Sequence, residues 1–200
     1  MPLLTRVGAL IGVVLLLTPV QAAPVSRQEA AAFTRKLDQI RGRAGDLKSS
    51  GTIRTPVSES ELNSWFVYGA EPMLLPAGVS SPQVTLVGNG RVSGQAIVDL
   101  DVIGKQKSSG ATFDLWNLLG GKVPVTVDGV LHTSNGVGTF AVERAEISGV
   151  PVPVSVLQQL VSYYSRSPRN PDGVTLDRAF QLPAAIRQID VGTGQAVVVQ

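Results

Sequence analysis

The 200-residue chain is 44% hydrophobic and 16% charged, and 17 Lys and Arg against 15 Asp and Glu leave a formal charge of +2. That surplus is too small to argue for a nucleic-acid or anionic-membrane partner, and the length suits one domain with a full core. With no cysteine there is no disulfide, thiolate nucleophile, cysteine metal site or acylated lipoprotein cysteine, while 21 Gly and 13 Pro imply many turns and short strands.

Residues 1–22 read as a secretory signal peptide. Arg6 gives the positive start, Val7 to Leu17 is an uncharged apolar run, and Val20 and Ala22 are small residues at −3 and −1 before Ala23. The run is too short to be a stable anchor. Removing Arg6 leaves 16 cations (17 − 1) against 15 anions, a nearly neutral chain. Residues 23–54 read as an N-terminal helix and linker. Ser26 and Glu29 form a capping box, and Phe33, Leu37, Ile40, Ala44 and Leu47 make a narrow apolar seam.

Residues 55–200 read as the main domain. A second capping box, Ser58 with Glu61, opens a short helix with Leu62, Trp65 and Phe66 on one face, and Met73, Leu74 and Leu75 follow in an apolar loop. From Gln83 the period is two. Val84 and Leu86 lead to a Gly88-Asn89-Gly90 turn, and a return strand from Arg91 to Asp101 puts Val92, Gly94, Ala96, Val98 and Leu100 on one face. Phe113 to Leu119, with Trp116, reads as a turn of helix or a bent connector. In a second hairpin Val123, Val125, Val127 and Leu131 alternate with polar residues up to Ser134-Asn135-Gly136. The phase then shifts between Val142 and Ala145, which predicts a bulge near Glu143 and Arg144.

Gly149 to Ser165 carries the strongest helical signal. At about 100° per residue, Ser155, Gln158, Gln159, Ser162 and Ser165 share one narrow arc. Val154, Val156, Leu157, Leu160, Val161, Tyr163 and Tyr164 fill about half the circumference. A face so wide needs more than one neighbouring surface, so a sheet is expected to lie on this helix or curl around it. Ser155 and Gln158 are a candidate capping pair. A third hairpin, Ala184 to Val191 and Ala196 to Val199 about a Gly192-Thr193-Gly194 turn, closes the chain. The fold class read from this order is α+β: a strongly curved antiparallel sheet of hairpins on a central amphipathic helix, with additional N-terminal helices.

Catalytic patterns are sparse. His132, the one histidine, alternates onto the polar face of a strand, with no Asp or Glu at ligand spacing and no Gly-x-Ser-x-Gly elbow in the chain. Asp99 and Asp101, two apart, are the nearest approach to a carboxylate pair, and solubility is their plainer role. The glycine turns lead into no helix and are not phosphate loops.

The signal peptide, Val57-Ser58-Glu59-Ser60-Glu61-Leu62-Asn63, the hairpins, Gly149-Val150-Pro151-Val152-Pro153 into an apolar helix, and Pro183-Ala184-Ala185-Ile186-Arg187 together resemble small bacterial envelope proteins of the tubular lipid-binding (TULIP) superfamily, of the LmeA and YceB kinds. The resemblance runs from about Val57 to Gln200. It implies a curved sheet on a helix that encloses an apolar groove, with no catalytic residues and no cofactor. The lipobox cysteine of lipoprotein relatives is missing, which implies a protein free in the periplasm or secreted. The expected function is non-catalytic binding of a lipid or other hydrophobic small molecule. The candidate groove residues are Trp65, Phe66, Leu74, Leu75, Leu157, Leu160, Val161 and Tyr164. The alternative is a ligand-free module of the same fold that binds an envelope protein partner. No metal, nucleic acid or stable membrane span is expected.

Overall fold

The computed structural model describes residues 25–44, 51–69, 75, 77–105, 121–165, 171–173 and 175–200, without the side chains of 103–105 and 163–165. The signal peptide, Leu74 and the Trp116 connector lie outside the described residues. The described residues are α+β, with a six-stranded antiparallel sheet, a smaller three-stranded one and no closed barrel among them.

Two helices open the fold. Ser26 caps α1 (Arg27–Arg43) by accepting from Glu29 N. Glu29 does not close the expected box; its carboxylate instead accepts from Ser60 Oγ on α2 (Glu59–Tyr68). The Ser58–Glu61 box on α2 is complete in both directions. Ser26 N donates to the fully buried Ser64 Oγ, and Lys36 pairs with Glu61 at 2.6 Å, so the two helices are joined by polar contacts as well as by apolar ones. Phe33 meets Trp65 edge to face with centroids 5.7 Å apart.

These helices form a core with the small sheet. β1 (Arg54–Ser58), β8 (Gln188–Val191) and β9 (Gln195–Val199) pair in the order β1-β9-β8. Phe33, Ile40, Val57, Ile186 and Val198 are the buried centre, with Leu37, Leu62 and Trp65 packed on it. The closing hairpin therefore belongs to a separate sheet and not to the main one. The partner that draws it away is β1, whose Pro56 is accommodated because β1 is an edge strand.

The large sheet runs β2 (Val79–Gly88), β3 (Arg91–Asp99), β4 (Lys122–Ser134), β5 (Val137–Ile147) and β6 (Val150–Val152), and β7 (Phe180–Gln181) also pairs with β5. Asn89-Gly90 and Asn135-Gly136 turn the first two hairpins with positive φ at both residues, which Asn and Gly tolerate. The bulge falls at Glu143, since Asp128 faces Arg144 while Gly129 faces Val142. β3 stops at Asp99, short of the expected Asp101. The Asp99 carboxylate accepts from Asp101 N and Val102 N and starts α3 (Leu100–Lys105), so it is a helix cap and not half of a carboxylate pair.

α4 (Val154–Ser165) follows β6 and packs along β5, with at most marginal contact with β3 or β4. β6 covers one end of the outer edge of β5 (Ala145 to Ile147), and β7 covers the other end (Val137 and Gly138). Gln158 does not cap the helix with Ser155. It accepts from Leu176 N at 2.7 Å, and so ties the returning chain to the polar side of α4.

At the opposite margin, α2 seals β2. Asn63 donates to Val84 O and accepts from Val84 N, both at 2.8 Å, and Glu59 accepts from Leu86 N at 2.7 Å. Asn63→Ala removes two hydrogen bonds and strands a backbone donor and acceptor, so it should cost about 2–3 kcal/mol and lower Tm by roughly 5–10 °C. A denaturation curve within experimental error of wild type would show that the Asn63 clamp is not needed.

Candidate functional site

Cross-strand register sorts the large sheet into two unlike faces, because directly paired residues point the same way. One carries Ser80, Gln83, Thr85, Ser93, Gln95, Thr126, Asp128 and Glu146, with Ile97, Pro124, Val130, Ala141 and Pro151 among its apolar members. The other is apolar throughout: Val84 and Leu86 on β2, Val92 to Val98 in alternation on β3, Val123 to Val127 on β4, Ala145 and Ile147 on β5, and Val152 on β6.

This apolar face is covered unevenly. At one end Leu86, Val84, Val92 and Leu131 pack against Val191, Ala196 and Ile189 of the small sheet. Near α4, Ala145, Ile147 and Leu157 are buried. Between these ends Gly94, Ala96, Val98, Val125 and Val127 are only half-buried and belong to neither buried cluster. Because Gly94 and Ala96 are small, we call this half-buried strip the trough. Among the described residues, a Cβ placed at Gly94 meets only Val127 O, at 3.9 Å. Gly129 is the opposite case: its Cβ would lie 2.5 Å from Ala141 O and 2.7 Å from the Phe140 ring.

The expected site residues fall into two groups on separate elements. Trp65 and Phe66 lie together on α2, with rings 5.7 Å apart, and Trp65 gives its edge contact to Phe33 and the core. Leu157 is buried, and Leu160 and Val161 half-buried, on α4. Leu75 is half-buried; Leu74 and the side chain of Tyr164 lie outside the described residues. The sequence reading centred the groove on the wide helix and did not name the strip on β3 and β4. The available signal was the run of small residues, Gly94 and Ala96, opposite Val127 and Val125.

Two open clefts formed by described residues lie away from both groups. One, of about 620 Å³, is lined by the exposed His132 with Thr133, Thr139, Gln188 and Asp190. Thr133 Oγ1 both donates to Ile189 O and accepts from Ile189 N, and Asp190 pairs with Arg54 at 2.8 Å. The other, of about 720 Å³, is lined by Arg43, Thr52, Asn135, Gln181, Arg187 and Gln200, among others. Among the described residues no group of three His, Asp or Glu is placed to hold a metal ion, and no helix is long and apolar enough to cross a membrane.

No protein-family model, curated protein or solved structure matches this chain. The trough and the clefts are therefore read from their own residues.

The contrast between the two glycines is directly testable. Gly129→Ala should lose about 1–3 kcal/mol, because it must displace the Phe140 ring or the Ala141 carbonyl. Gly94→Ala should leave stability unchanged or slightly raised, since open space receives the methyl. Equal losses in urea denaturation would show that the trough is filled.

Proposed function

We propose that this chain is an exported, non-catalytic binding protein for a lipid or another hydrophobic small molecule, and that the apolar trough over Gly94, Ala96, Val98, Val125 and Val127 receives the apolar part of that ligand. The observation that carries the reading is the trough itself: aliphatic across two strands, left half-exposed between the small sheet and α4. Solvent contact with such a surface is unfavourable by roughly 25 cal/mol per Å², and an acyl chain removes that cost.

Two irregularities support a curl of the sheet about this line. The β2 register slips between Ser80 and Gln83, beside Ala96, and the β5 bulge at Glu143 lies beside Val127. Bulges bend a strand and increase its twist. A curl toward α4 would bring Leu157, Leu160 and Val161 to one wall of the groove. Export rests on the 1–22 segment, with residues 23–54 as leading helix and linker and 55–200 as the binding domain.

A second reading, an envelope protein that docks a partner, is favoured by a different observation. Val150 is 62% exposed on strand β6, with Val154 and Val156 exposed just after it, an apolar strip at the sheet margin.

Protein purified without detergent should carry lipid, seen by native mass spectrometry and organic extraction. Gly94→Leu should lower that occupancy several-fold with Tm nearly unchanged, because the side chain enters ligand space. A lipid-free wild type together with a strongly destabilised Gly94→Leu variant would sink the carrier reading. Export has its own check: the N-terminus of protein recovered from the cell envelope should be Ala23, or within a residue of it, and an intact Met1 there would overturn it.

A further inference from the structure

The 720 Å³ cleft is built where four distant parts of the chain converge: the last turn of α1, residues 51–53, the Asn135-Gly136 turn, and the segment from Gln181 to Arg187 with Gln200. Among the described residues its lining holds two guanidinium groups, Arg43 and Arg187, and no Asp or Glu side chain. Arg187 donates to Thr52 Oγ1 and to the Gln200 carbonyl, which fixes its plane. Arg43 has no hydrogen-bond or ion-pair partner among the described residues, so its charge faces the cleft uncompensated by a carboxylate.

Two further features are hard to explain as packing alone. Gln200 Oε1 is buried and accepts no hydrogen bond, although the amide nitrogen of the same side chain donates to Ile40 O and Ala184 O. With the nitrogen committed on both sides, the amide cannot be turned over to relieve the oxygen. A buried acceptor left without a donor costs on the order of 1–3 kcal/mol. Beside it, Ala184 and Ala185 both hold positive φ (55° and 54°), a left-handed conformation that costs an L-residue roughly 1–2 kcal/mol each. Strain of this kind is kept where the surrounding structure needs a particular backbone shape.

We propose that this cleft binds a phosphate ester whose alcohol part carries free hydroxyl groups. Arg43 and Arg187 take the phosphate, and a ligand hydroxyl donates to Gln200 Oε1. A planar carboxylate is saturated by one guanidinium fork, whereas a tetrahedral phosphate offers oxygens in several directions to guanidiniums that arrive from separate elements. No trough residue lines the cleft, so the inference stands whether or not the trough binds lipid. The ester is either a free polyol phosphate or the headgroup of a glycerophospholipid.

The test is titration of the isotopically labelled chain with glycerol phosphate, inorganic phosphate and glycerol at low ionic strength, read by amide chemical shifts and calorimetry. Glycerol phosphate should shift residues 51–53, 135–136 and 181–187 and bind roughly tenfold more tightly than inorganic phosphate, with glycerol silent. Arg43→Gln should weaken binding at least about tenfold with Tm unchanged, because Arg43 holds no structural partner among the described residues; Arg41→Gln, two positions before the lining, should not. Vesicles of phosphatidylglycerol that compete with the free ester, where phosphatidylcholine vesicles do not, would assign the headgroup as the source. Vesicles that fail to compete would assign the free ester. Absence of shifts at these residues, equal affinity for inorganic phosphate, or undiminished binding by a folded Arg43→Gln variant would each overturn the proposal.

Discussion

The fold depends on the seal that α2 places on the edge of the large sheet. An edge strand offers unpaired N–H and C=O groups that any passing strand can use, and β2 would be such a strand. Asn63 acts as a one-residue surrogate strand, because its amide carries a donor and an acceptor at the spacing of a peptide group. Glu59, one helical turn earlier, takes Leu86 N, while Gly194 N donates to Leu86 O and Glu59 N donates to Gly194 O. One short helix thus joins the large sheet, the small sheet and, through Glu61 and Ser64, α1. The same device recurs at β8, where Thr133 Oγ1 satisfies both polar groups of Ile189.

Edge sealing also accounts for the place of α4. A helix with an apolar half-circumference looks from sequence like the centre of a fold, yet α4 lies along β5, between β6 and β7. Its buried residue, Leu157, is used at a strand margin, and the returning chain meets its polar side through Gln158. Neither sealing helix is placed over the trough: among the described residues α2 packs on β2 and α4 on β5, while β4 is met at one end by α3. Two aromatic rings mark where the sheet is instead closed by its own side chains, Phe140 over Gly129 and Phe180 over Gly138.

What could be read from the sequence was what depends on neighbours in the chain. The Asn-Gly turns, the Glu143 bulge and the Ser58–Glu61 box are decided within a few residues, and each is present. Asp99 was misleading because a carboxylate at a strand end and a carboxylate at a helix start have the same spelling; the hydrogen bonds to residues 101 and 102 separate them. β1 was hidden by its length and by Pro56, and with it the fact that the last hairpin joins a second sheet. The Arg cleft was beyond reach altogether, since Arg43 and Arg187 stand 144 positions apart (187 − 43) and meet only through the fold.

The pairing of Arg54 with Val199 spans 145 residues (199 − 54), and Val198 is at the buried centre beside Phe33 and Ile40. The side of the N-terminal helices that packs on the small sheet consequently has no partner until the last strand has been made. Closing so long a loop is slow compared with forming local hairpins, so folding of the first core is a late, whole-chain event. During synthesis that core stays incomplete for as long as residues 195–199 are still in the ribosome, and it locks only when they pair with residues 54–58.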